Sequence, residues 1–223
     1  MSTHAPKERL SHLLELAAKG AEARQALLGE LADLLLDWPS NYALSMRVPF
    51  EALLARAARD AGRPTRTALA ERFTGHDELP LDLLNEFFAV APGALKTRIL
   101  ERNQDAAGAD EPPHAPADGR ALIAAARAGI GVAPALGEYL ALSANLAGEI
   151  LDDGSALSLA VACKGASLDR AAFSALSLLA SPDGADIHDR LAVYEHVPPG
   201  AAQALLAFWR AHHAAPPQAR AAE

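Results

Sequence analysis

The sequence predicts an all-α fold in which short antiparallel helix pairs stack as a helical repeat in two lobes. Three observations carry that expectation. Apolar residues recur at i, i+3, i+4 and i+7 in one short segment after another, the spacing of a single helical face. About a quarter of the 223 residues are alanine and only 5% are aromatic, so helices must approach one another through small side chains rather than around rings. Val, Ile, Tyr and Phe, which strands favour, are sparse.

Taken in order, the first helix is expected from 7 to 18, with Leu10, Leu13, Leu14 and Ala17 on one face and Gly20 as its stop. From 21 to 37, Leu27, Leu28, Leu31, Leu34 and Leu35 repeat the pattern, leaving Glu22, Arg24, Glu30 and Asp33 to the wet face. Pro39 closes this helix, and Ser40 and Asn41 supply turn chemistry. A third helix begins at Ala43 or Pro49 and ends at Asp60, before a break at 62 to 64. The run from 65 to 103 holds three more, at 65 to 73, 80 to 89 and 94 to 102, broken at Gly75 to Leu79 and at Pro92-Gly93. Each is too short to persist alone in water, so its apolar face needs neighbours, the condition that defines stacked repeats.

Residues 104 to 118, QDAAGADEPPHAPAD, carry three prolines, four acids and no large apolar side chain. Such a stretch cannot offset its ordering entropy and reads as a flexible linker or long loop. The expected organisation is therefore a lobe at 1–103, a linker at 104–118, a second lobe at 119–213 and a frayed tail at 214–223. Helices of the second lobe are expected at 119–128, 134–142, 144–152, 155–164, 168–180, 187–194 and 198–210, separated by Gly, Ser and Pro punctuation.

Charge is uneven along the chain. Residues 1–103 hold 13 Lys and Arg against 14 Asp and Glu, whereas 104–223 hold 7 against 14, for an overall −8. An acidic second half repels phosphate backbones and anionic lipid, which disfavours nucleic acid and membrane surfaces as partners. The single cysteine, Cys163, cannot form an internal disulfide and sits in SLAVACKG, the setting of a buried small hydrophobe. With no apolar stretch of secretory or membrane-spanning length, the expected compartment is the cytoplasm.

The most chemical-looking feature is the arginine series Arg56, Arg59, Arg63 and Arg66, which runs toward a turn and a helix start. Guanidinium forks beside free N–H groups can hold a phosphate, a carboxylate or an acidic partner. The competing reading pairs these arginines with Glu51, Asp60 and Glu71 on a solvated face, worth little stability. No nucleophile elbow or metal-ligand spacing is present. Ser155 and Ser167 read as helix starts, and Asp186, His188, Asp189 and His196 as surface residues rather than a metal site. Gly129-Ile130-Gly131 lacks the strand that a nucleotide loop needs, and fits a helix end followed by Pro134 at a helix start. Trp209 shares a stripe with Leu205 and Leu206 and reads as core, whereas partial exposure of Trp209 or Phe208 would make an interface anchor. No cofactor or metal is expected.

Several stretches resemble a family of uncharacterised alphaproteobacterial proteins, known as a domain of unknown function and related to HEAT-like helical repeats. They are LLELAAKGAEARQALLGELADLLLD at 13–37, ALAERFTGHDELPLDLLNEF at 68–87, ILERN at 99–103, LAVACKGASLDRAAFSALSLL at 159–179 and YEHVPPGAAQALLAFWR at 194–210. The resemblance implies an all-helical repeat fold in two lobes and transfers no catalytic motif. The uncharged run at 39–46 departs from the charged junction usual in such relatives.

The function expected is that of a non-enzymatic protein–protein interaction module, such as a regulatory adaptor, with a protein partner. One alternative is a sensor that binds a small anionic nucleotide or metabolite through the Arg56 to Arg66 face. Another is an enzyme resembling helical-repeat DNA glycosylases, which the net charge opposes. The sequence leaves the oligomeric state open.

Overall fold

A computed structural model describes residues 11–13, 15, 21–76, 78–107, 118–181 and 186–214. The fold is all-α, with no strand among the described residues. It divides into two compact units, Met1–Leu95 and Lys96–Glu223. Packing between the helices fits a repeat-like arrangement. No helix among the described residues is long and apolar enough to cross a membrane.

In the first unit, α1 (Ala21–Leu36) packs on α2 (Arg47–Arg59), which is entered through a 3-10 turn at Leu44–Met46. Then come α3 (Arg63–Phe73), α4 (Leu81–Phe87) and a second 3-10 turn at Phe88–Val90. The leucine stripe of α1 is the seam of this unit: Leu27, Leu28, Leu31, Leu34 and Leu35 are all buried. Each contributes on the order of 2 kcal/mol by leaving water. Phe73 and Phe87 meet edge to face, their ring centroids 5.2 Å apart, and join α3 to α4. The third helix begins at Arg47, between the two starts expected for it, because Leu44–Met46 tighten into a 3-10 turn. That arrangement leaves Leu44 and Val48 exposed. Most of the helix expected at 7 to 18 lies outside the described residues; within it, 11–13 and 15 are helical and Leu13 is buried.

The next helix, α5 (Gly93–Ala107), crosses the division between the units and runs five residues past its expected end at 102. Its first four linker residues, Gln104 to Ala107, are thus helical, while 108–117 of the expected linker lie outside the described residues. The units divide at Leu95 and Lys96 rather than at 103/104. Gln104 explains the extra turn, because its Oε1 accepts from the Ala201 N–H at 3.2 Å and so caps another helix of the second unit.

The second unit continues with α6 (Arg120–Ala125), which loosens into a π turn at Ala126–Ile130, then α7 (Val132–Leu140) and α8 (Ala144–Leu151). After these come α9 (Leu157–Gly165), α10 (Arg170–Ala180), α11 (Ile187–His196) and α12 (Pro199–His212). The unit is built around α9. Ser158 through Cys163 are buried in an unbroken run, so this helix is covered on every side rather than along one stripe. It packs against α8, α10, α11 and most extensively α12. Small side chains permit that closeness: a Cβ added at Gly165 would sit 2.5 Å from the Ala202 carbonyl oxygen. Burial pushes the Cys163 thiol up, away from the reactive thiolate.

Three expectations need correction here. Ser167 does not start a helix; it takes a left-handed conformation at the end of α9, and Asp169 caps α10 instead through the Ala172 N–H at 2.7 Å. Pro134 is the third residue of α7 rather than its first. Trp209 is 1% exposed and belongs to the core, which removes it as an interface anchor. Phe208 is half-buried and stacks on His212 at 4.3 Å. The tail from 215 on lies outside the described residues.

Candidate functional site

The arginine series does not form one outward face. Arg66 is 2% exposed, and its Nη2 donates to the Glu86 carbonyl oxygen at 2.6 Å and lies 3.9 Å from the Glu86 carboxylate. Arg59 reaches the same carboxylate from α2, its Nε donating to Oε2 at 2.9 Å. Glu86 itself, on α4, is completely covered. Two guanidiniums from successive helices thus converge on one interior carboxylate, and their charge is spent within the unit. Arg56 remains exposed and Arg63 half-buried. Of the partners that sequence spacing suggested, Glu51 pairs with Arg47 instead, at 2.9 Å; separately, Arg72 pairs with Asp33 of α1.

A different place in the second unit has the geometry of a binding site. One face of α5 and the last turns of α11 border an open groove of about 680 Å³, within the size range of ligand sites. All its lining residues belong to the second unit. From α5 come Thr97, Leu100, Glu101, Gln104 and Asp105, at i, i+3, i+4, i+7 and i+8. From α11 and its exit come Ala192, Val193, His196, Val197 and Pro198, and Ser155 with Leu157 close the end at the start of α9. The floor is apolar, with Leu100 and Val197 buried and Val193 and Leu157 half-buried. Glu101 and Asp105 stand exposed at the rim one turn apart.

A buried ion pair braces the end of the groove. Lys96 Nζ lies 2.6 Å from Asp153 Oδ2, with the two side chains 3% and 7% exposed. Asp153 also accepts from the Ser158 N–H at 2.9 Å, and from the Ser155 hydroxyl at 2.7 Å. The carboxylate therefore neutralises Lys96 and caps α9 at once. Burial works to raise the Asp153 pKa, but Lys96 and the Ser158 hydrogen bonds outweigh it and hold the carboxyl below its ordinary value. On the other side, Lys164 Nζ donates to the Tyr194 and Glu195 carbonyl oxygens at 2.8 and 3.0 Å, fixing the last turn of α11.

His196 lines the groove, with Nδ1 2.7 Å from the Ala192 carbonyl oxygen. Asp186 is spent as the cap of α11, accepting from the His188 N–H at 2.8 Å. No cluster of metal-ligating side chains occurs among the described residues. The groove was not legible in the sequence because its three segments are separated by dozens of residues. The one available signal was the i, i+4 pair Glu101 and Asp105 beside Leu100.

No family model, curated protein or solved structure matches this chain.

Proposed function

We propose that this chain is a non-enzymatic protein–protein interaction module of the cytoplasm, and that its contact site is the groove between α5 and α11. The observation that supports this reading is the groove itself: open, apolar at its floor, and bordered by two helices set by capping and ion-pair contacts rather than by loops. Paired helix faces separated by an apolar channel are the usual receptor for a partner's amphipathic segment. The HEAT-like character implied by the sequence resemblance fits the same use, because helical repeats present extended surfaces.

The anion-sensor alternative loses its main support, since Arg59 and Arg66 are committed to Glu86. A DNA-processing groove would need lining cations, and the described residues that line this one include two carboxylates and neither lysine nor arginine.

Affinity capture with the wild-type chain and with Val193→Arg tests the proposal, with melting curves to establish that both fold. A protein partner retained by the wild type and lost by Val193→Arg is the expected result. Identical sets of captured proteins would rule the groove out as the contact site.

A further inference from the structure

We infer that the groove takes a basic amphipathic helix, a two-turn apolar stripe flanked by lysine or arginine. The inference rests on the groove being the contact site and adds the chemistry of its occupant. Length comes first. The lining positions on α5 run from Thr97 to Asp105, and eight residues of helical rise span about 12 Å, the length of two turns. A partner helix would therefore seat side chains at i, i+3 or i+4, and i+7 over Leu100, Leu157, Val193 and Val197.

Charge decides the flank. Glu101 and Asp105 project from one side of α5 at i, i+4, and no ion pair or hydrogen bond among the described residues engages either carboxylate. Among the described residues that line the groove there is no lysine or arginine, so the rim presents two carboxylates beside an apolar floor. The surrounding unit reinforces that field, since residues 96–223 carry ten Lys and Arg against fifteen Asp and Glu. An acidic helix would bring like charges together on desolvated ground, whereas a basic one gains attraction and faster encounter.

Fluorescence anisotropy on the full chain tests this with two labelled helical peptides. Both carry the same leucine stripe, one flanked by lysine and the other by glutamate. The lysine peptide should bind at least about tenfold more tightly, and added salt should narrow the difference. The Glu101→Lys/Asp105→Lys variant should reverse the preference. A Glu138→Lys/Asp118→Lys variant, with the same change in net charge at exposed positions of the same unit outside the lining of the groove, should not. Equal binding of the two peptides, lost together in Val193→Arg, overturns the basic-helix inference and leaves the groove reading intact. The basic helix is likewise overturned as the occupant if Val193→Arg abolishes self-association of the chain, or if a long-chain alkylamine stabilises the fold while neither peptide binds. Peptide binding that persists in Val193→Arg overturns both readings.

Discussion

Lys96 and Asp153 meet at 2.6 Å with their side chains almost wholly withdrawn from water, although 57 positions separate them in the chain. Removing one partner of such a pair takes the facing countercharge from a buried ion, a loss of about 3 to 5 kcal/mol. Asp153→Asn should therefore lower the stability of the second unit by roughly 3 kcal/mol or more, as read by urea denaturation. Lys96→Met combined with Asp153→Asn should recover part of the loss, since the double variant no longer buries an ammonium against a neutral amide.

The same contact sets a pH dependence. Asp153 titrates below its ordinary value of 3.8 when folded, so on acidification the unfolded chain takes up the proton first. Its stabilisation is complete above the ordinary aspartate value and is lost as pH falls through the folded one. Urea midpoints of the wild type should fall across that acidic window, and those of Asp153→Asn should fall less steeply. Parallel slopes would show that Lys96 does not hold the carboxylate down.

In the first unit, Glu86→Gln leaves the Arg59 and Arg66 guanidiniums facing a neutral amide in a covered site. A destabilisation of about 3 kcal/mol is expected. Arg56→Ala, at an exposed position, should change stability by no more than about 0.5 kcal/mol. Chemical denaturation of the two variants separates an interior charge cluster from a solvated arginine face.

These contrasts show what a one-dimensional reading could reach. The stripe Leu27, Leu28, Leu31, Leu34 and Leu35 was legible because helical periodicity is local and all five share one buried seam. Glu86, Lys96 and Asp153 were not, because a buried charge is tolerated only when its partner arrives from another element, and nothing local announces that arrival. Arginines at helical spacing suggested one face, yet Arg66 turns inward because Glu86 waits on α4. The groove combines residues from α5, α11 and the start of α9, so it emerges only when those elements meet. Gln104 read as linker because its neighbours downstream are proline-rich, whereas its side chain is engaged in capping α12.

The closeness of α9 and α12 makes Gly165 a sensitive position. An added methyl would lie 2.5 Å from the Ala202 oxygen and 2.9 Å from Leu206 Cβ, both on the facing helix. Gly165→Ala should cost about 1 to 3 kcal/mol by forcing the helices apart. Gly154→Ala, where an added Cβ meets nothing within 4 Å, serves as the control. Thermal melts of the pair would show whether this approach is as tight as the geometry demands.

Two helix ends are closed by residues that carry a Cβ where glycine would fit better. At the end of α7, the Leu142 N–H donates to the Gly137 oxygen at 2.8 Å and the Ala141 N–H to the Glu138 oxygen at 3.3 Å. Ala141 between them has φ +58°. The end of α9 repeats the pattern, with Leu168 donating to Cys163 at 2.9 Å, Ser167 donating to Lys164 at 3.0 Å, and Ser167 at φ +57°. Both are six-to-one, five-to-two closures in which the left-handed residue is ordinarily glycine. A non-glycine residue there costs about 1 to 2 kcal/mol, while glycine loses about 0.4 to 1 kcal/mol through the greater freedom of the unfolded chain. The balance favours Ala141→Gly and Ser167→Gly, each by about 0.5 to 1 kcal/mol. Because the two ends are separate closures, the effects should add in the double variant. A drop in urea midpoint for either variant would mean that its side chain does more than occupy a turn.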